Sequence, residues 1–286
     1  MRSALVVAVG AFAVVATLGE TAAAEPFVDA PLTLPPLHFS ADLGLGVGTF
    51  QNIGSTPAGT AGPAQPPSTQ IGWGTNLEAA IGLPFLGELG LRLGYRFGQD
   101  GIAVGANNGA GADHFARLFD PILAEPSTRN ADNLEVRLRG NVFDLKVVQL
   151  GLETRIIIPT DTTSVLAFTP GVPVRVHVLG RVRVDTGLWF PIALTQPTAG
   201  YSIDIPAQAF FQLGDAPVWV GPLTGLRFNN PFASGSSTDI PLGIGGGYTV
   251  GGVVDLKAQV RTERINDSAW ASQHLGAGFG VGLRLP

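Results

Sequence analysis

The sequence predicts an all-β chain, a single closed antiparallel β-barrel of about twelve strands that crosses a bilayer. Three observations predict it. Residues alternate between apolar and polar over long stretches, the connections between those stretches alternate between short and long, and aromatic residues gather at both ends of the apolar faces. The alternation is plainest in VRVHVLGRVRVDTGLWF. There Val174, Val176, Val178, Val182, Val184, Leu188 and Phe190 share one face, and Arg175, His177, Arg183 and Asp185 the other. Successive side chains of a strand point to opposite sides, so this segment has one hydrocarbon face and one ionised face.

Composition supports a surface that is not covered by water. Only 14% of the 286 residues are charged, against roughly a quarter in soluble domains, while glycine (39) and proline (22) are both raised. Lys146 and Lys257 are the only lysines among 17 basic residues. A net charge of −5 gives no nucleic-acid footprint, so no nucleic acid is expected as a partner. Cysteine is absent, which excludes disulfides, thiolate metal sites and an acylated cysteine anchor.

Residues 1–24 read as a secretory signal peptide: Arg2 as the basic start, an apolar run from Ala4 to Leu18, and Ala22-Ala23-Ala24 as the small-residue cleavage site. The run is shorter than the roughly 20 residues a spanning helix needs, and it breaks at Gly19-Glu20. The barrel is then expected over 25–286, with 25–36 as a periplasmic N-terminal segment. No later segment is an 18-residue apolar run.

Alternation places strands near 38–50, 70–83, 87–98, 133–142, 146–158, 172–179, 181–194, 201–213, 217–228, 239–249, 253–265 and 274–285. Most match the roughly 9–11 residues that a tilted strand needs to cross a bilayer. The connections after every even-numbered strand are tight: PFLGE, FDLK, LG, GDA and VGG. Those after odd-numbered strands are longer and rich in Gly, Pro, Ser, Thr and Asn, the longest being 99–132. Sorting of loop length by parity fits a membrane barrel with short periplasmic turns and long extracellular loops.

On the apolar face Phe39, Phe211 and Tyr248 fall near the short-turn ends, and Trp73, Phe97, Phe190, Tyr201 and Phe228 near the long-loop ends. Two aromatic girdles flanking an aliphatic band fit the two membrane-water interfaces. Closing the sheet pairs every backbone N–H and C=O, which hydrocarbon would otherwise leave unsatisfied. On this pattern the chain resembles Gram-negative outer-membrane β-barrel proteins of the porin-like class over nearly all of its mature length, without a diagnostic motif of one family. The ending GAGFGVGLRLP is similar to the terminal strand of that class, but finishes in Leu285-Pro286 instead of an aromatic residue. The resemblance implies a place in the outer membrane, among its lipid and lipopolysaccharide, reached through the outer-membrane assembly machinery.

Parity assigns the lumen. The acids are Asp42, Glu78, Glu88, Glu135, Glu153, Asp185, Asp204, Asp255 and Glu263. Seven arginines fall on the third to seventh strands as one basic wall: Arg92, Arg96, Arg137, Arg139, Arg155, Arg175 and Arg183. Opposite them the first, second, tenth and twelfth strands present glycines such as Gly44, Gly46, Gly48, Gly245, Gly276, Gly278 and Gly280, a smooth sector without side chains. Two readings stay open. Either an aqueous path runs between the walls and its field attracts anions, or Arg and Glu pair across strands and plug the barrel while glycines permit curvature. Within 99–132, ADHFARLFDP suggests one helical turn capped by Asp113 with Phe115, Leu118 and Phe119 on one side. Loops of this length usually run over the surface, so an external position is expected; folded inward, the turn would constrict the pore.

Enzymatic chemistry finds no footing. A twelve-stranded phospholipase family carries Ser, His and Asn on its outer wall, but of His38, His114, His177 and His274 the third falls on the lumen face and no outward Ser adjoins an outward His. GLGVG and GIGGG lack the lysine and helix of a phosphate loop, and no cluster has metal-ligand spacing, so no cofactor is implied. The expected function is passive passage of small polar or anionic solutes past the arginine wall. The alternatives are a plugged structural or adhesive barrel acting through its outer loops, and a soluble periplasmic lipid-binding barrel.

Overall fold

The computed structural model describes residues 26–52, 68–85, 87–97, 115–120, 131–158, 166–178, 180–195, 200–268 and 274–286. The signal segment 1–24, Asp113 and His114 lie outside the described residues, as do the side chains of Arg96 and Phe97. In chain order the strands are β1 (Phe39–Asn52), β2 (Ser68–Leu83), β3 (Gly87–Phe97), β4 (Ala131–Asp144), β5 (Val148–Ile158), β6 (Ala167–Val178), β7 (Val182–Trp189), β8 (Ile192–Ala193), β9 (Ser202–Gln212), β10 (Val218–Asn229), β11 (Ser237–Asp239), β12 (Leu242–Val250), β13 (Val254–Thr262) and β14 (Leu275–Leu285). All pairings are antiparallel. β14 returns to β1 and β9 joins β10, so twelve long strands close into a ring, while the short β8 and β11 extend β6 and β10 at the long-loop side.

The faces sort as hydrocarbon outside and charge inside. Leu43, Leu45, Leu77, Leu91, Leu93, Leu152, Ile244, Val260 and Phe279 are exposed on the exterior, whereas Arg92, Glu135, Glu153, Arg155, Asp204 and Asp255 are buried within. A soluble lipid-binding barrel would carry the reverse arrangement.

Differences from the predicted bounds have local causes. The strand expected at 172–179 starts earlier, because β6 runs through Pro170 and Pro173, paired with Thr154 and Gly187. A proline at a pair that exchanges no ladder bond removes nothing from the sheet. The strand expected over 181–194 stops at Trp189, whose indole folds over Gly171 and Gly187, and Pro191 then interrupts the ladder before β8. Gly187 has φ +155, and a β-carbon there would meet the Trp189 ring. A bulge between Asn141 and Phe143 of β4 leaves Val142 and Phe143 both exposed.

Two segments expected outside the barrel lie within it. Pro26–Leu34, predicted as part of a periplasmic tail, runs along the inner wall at the short-turn end and leaves through a turn where Leu37 N donates to Gly82 O. Phe115–Asp120, predicted as part of an external loop, returns into the lumen, with Phe115 and Ala116 each 1% exposed. Each finds inside what a surface position lacks: buried apolar area for its side chains and partners for its main chain.

Candidate functional site in the lumen

Strand register decides which charges face each other. It sets Glu78 against Arg92, Arg92 against Glu135, Glu88 against Arg139, Arg139 against Glu153, and Arg175 against Asp185. Arg137 opposes Arg155, a repulsive pair relieved by neighbours: Arg137 Nη2 lies 2.7 Å from both Glu78 and Glu88, and Arg155 Nε 2.6 Å from Glu153. The predicted basic wall is therefore a ladder of ion pairs along β3 to β7. Buried charges of this kind stay ionised only when paired and hydrogen-bonded.

Each predicted lumen residue can be placed. Arg92 bonds Asp120 and Glu135; Arg139 bonds Glu153; Arg175 grips Asp185 through Nε and Nη2 at 2.7 and 3.1 Å; Arg183 Nε lies 3.1 Å from Asp185. Arg96 stands opposite Gly74 in the register. Asp204 approaches Arg227 at 3.5 Å, Asp255 takes Arg284 at 3.0 Å and Thr249 at 2.7 Å, and Glu263 lies 2.8 Å from Arg261. Asp204 lies on β9, next to the wall's last strand β7, while Asp255 on β13 and Glu263 just beyond it belong to the far side of the ring. Of the aromatic residues, Phe39, Trp73, Tyr201, Phe211 and Tyr248 are exposed on the exterior, Phe190 and Phe228 are half-buried, and Phe97 pairs with Trp73 in the register.

The glycine sector is occupied. A β-carbon at Gly44 would overlap the Ala116 carbonyl, one at Gly48 or Gly276 the Phe115 ring, one at Gly278 the Phe115 carbonyl, and one at Gly245 the Phe119 ring. The inserted turn lies on the strand backbones as only glycine permits. Gln259 Nε2 holds the Phe115 carbonyl at 3.1 Å, and at the other end Asp120 reaches the basic wall, bonding Arg92 and Arg155, the latter at 3.0 Å. The turn thus spans the lumen from one predicted wall to the other. Phe119 takes φ +62 to do so, an uncommon conformation for a bulky residue that the anchored neighbour holds in place.

The N-terminal strap approaches from the short-turn end. Phe27 stacks on Trp219 with centroids 3.7 Å apart and planes at 8°, edge-on to Phe210 at 5.5 Å. Phe119 of the inserted turn packs edge-on against Phe210 and Trp219, each at 5.2 Å, and Arg183 lies over the Phe27 ring at 4.0 Å. Strap and turn therefore meet in one aromatic cluster. Sequence reasoning missed Phe27, Asp120, Gln149, Phe210 and Trp219. A signal for two of them was present: parity puts Phe210 and Trp219 on the polar face, where an aromatic pair implies an apolar visitor.

Between strap and turn remains a chamber of about 170 Å³. Around it stand five guanidiniums, Arg117, Arg137, Arg139, Arg175 and Arg183, and four carboxylates, Asp42, Glu78, Asp120 and Asp185. Asn76 Oδ1 and Arg137 Nε are buried there without a hydrogen-bond partner from the described residues, which keeps the chamber polar.

No family model matches the chain, and no curated protein does. Among solved structures, the COG4313 outer membrane channel from Pseudomonas putida F1 aligns with a TM-score of 0.57 at 9% identity, covering 91% of this chain and 98% of that one. The NanC porin aligns at 0.52 and 6% identity over 86% and 99%, and the KdgM porin at 0.50 and 11% identity over 85% and 98%. At these identities the likeness is one of fold. What the chain shares with such proteins, over almost their whole length, is the barrel itself, and its fold is that of the porin-like outer-membrane proteins.

Proposed function

We propose that the protein is a passive outer-membrane channel for small polar solutes with a mild preference for anions, narrowed by two segments of its own chain. The observation that carries this reading is the chamber, where five guanidiniums outnumber four carboxylates inside a closed barrel with an apolar exterior. A surplus of one positive charge within low-dielectric walls raises local anion concentration, and the effect weakens as salt screens it. Most of the wall's charge is internally neutralised, so the preference is modest and set by the lining arginines whose side chains stay partly exposed: Arg137, Arg139 and Arg175.

Reversal potentials of the refolded protein in planar bilayers, under a salt gradient, test this. The native channel is expected to favour anions at low salt, and Arg137→Gln with Arg175→Gln to shift it toward cations. Absence of conductance steps, or a selectivity that these substitutions leave alone, ends the proposal. The second reading is a closed structural or adhesive barrel. It is favoured by the presence of both strap and turn in the lumen, and would be supported by a barrel that folds but never conducts.

A further inference from the structure

The strap is held mostly by its main chain. Arg183 Nη1 donates to Phe27 O at 2.7 Å, His177 Nδ1 lies 2.9 Å from Val28 O, Arg175 Nη1 donates to Ala30 O at 2.9 Å and also to Pro31 O, and Arg139 Nη1 donates to Leu32 O at 3.1 Å. In the other sense Leu32 N donates to Gln149 Oε1 at 2.8 Å and Leu34 N to Glu88 Oε2 at 3.0 Å. Seven backbone groups between Phe27 and Leu34 thus find side-chain partners on the barrel wall. One side chain enters an aromatic pocket, Phe27 between Trp219 and Phe210.

A strip built for polyanions would need donors alone. This one also places two acceptors, Gln149 and Glu88, where a chain presents N–H groups, and Glu88 would repel an anion lying there. Four successive contacts to carbonyls over the 3-10 turn Phe27–Asp29 and on to Pro31, then an acceptor, a donor and an acceptor over Leu32 to Leu34, complement a polypeptide backbone, and backbone groups are common to all peptides.

We propose that the inner strip formed by Glu88, Arg139, Gln149, Arg175, His177 and Arg183, with the Trp219 pocket at its end, is a binding track for short peptides bearing an aromatic residue near one end, and that the strap is its intramolecular occupant. The proposal deepens the channel reading by naming a ligand class for its lumen. A tethered occupant competes at an effective concentration in the millimolar range, so a free peptide enters only when the strap is weakened. Removing the Phe27 ring from the strap gives the advantage to a free peptide that keeps it.

The test is fluorescence anisotropy of a labelled nonapeptide, PFVDAPLTL, with the full-length protein folded in detergent micelles, folding being checked by heat-modifiable migration. Native protein is expected to bind weakly, Phe27→Ala to bind saturably and at least tenfold tighter, and Phe27→Ala with Arg175→Ala to lose at least tenfold of that affinity. A peptide of the same residues, scrambled but with phenylalanine kept second, is expected to compete within a few-fold; inorganic polyphosphate and an N-methylated analogue are not. A variant lacking 26–34 should behave as Phe27→Ala does. The inference is overturned if folded Phe27→Ala protein binds no peptide, or if polyphosphate displaces the peptide as well as an unlabelled copy. Binding is read without conductance, so a barrel that takes peptide but passes no ions would overturn only the channel reading.

Discussion

At the scale of single residues, the lumen is governed by which charges can be removed without stranding others. Asp120 is the one carboxylate on the inserted turn that reaches the wall, and it bonds both Arg92 and Arg155. Replacing it leaves Arg92 with Glu135 and Arg155 with Glu153, so the wall stays compensated while the turn loses its carboxylate link to the wall and keeps Gln259 and the aromatic cluster at its other contacts. Hydrogen bonds to charged groups contribute roughly 1.5–3 kcal/mol when solvent is excluded. Asp120→Ala is therefore expected to release the turn and raise single-channel conductance, with barrel folding unchanged by heat-modifiable migration. Arg155→Ala is expected to be worse tolerated, because Glu153, Glu135 and Asp120 would all lose a buried partner. Arg181→Ala provides the contrast: its contact with Asp215 is at the short-turn surface, with side chains 61% and 99% exposed, and no change in conductance or folding is expected. Equal conductance for native and Asp120→Ala protein would mean that the turn is not the constriction. That these groups face inward was legible from parity. Pairing across strands was one of two open readings; the tight turns after β2, β4 and β6 fix the register of Glu78 with Arg92, Arg139 with Glu153 and Arg175 with Asp185, whereas no local pattern sets that of Arg92 with Glu135 across the long connection 99–132.

At the scale of elements, the glycine sector and the inserted turn are one device. Gly44, Gly48, Gly276, Gly278 and Gly280 read in the sequence as a bare wall, but they are a bed for Phe115 to Leu118. The insertion was hard to foresee for a physical reason: the receiving surface is backbone, which leaves no side-chain signature, and the inserted segment is apolar in a way that one surface helical turn also allows. Gly278→Val places atoms where the Phe115 carbonyl now lies, while valine suits an extended strand. The expected outcome is a folded barrel with the turn expelled and a conductance comparable to Asp120→Ala. Because both substitutions act through the same turn, combining them is expected to add little, and additive effects would show two separate constrictions. The strap escaped prediction similarly. Its residues look like a proline-rich tail, and five of the seven side-chain partners of its main chain, counted by bond, come from arginine and histidine groups already assigned to the lumen face.

At the scale of the whole molecule, the barrel was the most legible feature because its signals repeat: twelve segments carry the same alternation, and loop parity links them into hairpins whose ends agree. The physical content of that reading is the sign of the burial, hydrocarbon out and charge in, and two neighbouring residues test it. Leu91 lies near the middle of β3 and is 48% exposed on the exterior, while Arg92, one position on, is 3% exposed in the lumen. Arginine at a lipid-facing midplane position costs about 2–4 kcal/mol, falling to about 0–1 near the interface. Leu91→Arg is therefore expected to destabilise the barrel by about 2–4 kcal/mol in urea titrations of folding into lipid vesicles. Phe85→Arg, at the fully exposed tip of the β2–β3 turn, is expected to cost at most about 1 kcal/mol. Depth dependence separates a membrane exterior from any other apolar surface, because a soluble interface would penalise the charge according to packing and not to distance from a midplane. Similar costs at positions 85 and 91 would place the short-turn rim in hydrocarbon as well, and a negligible cost at Leu91 would remove the bilayer from around the barrel and with it every inference drawn from the lumen.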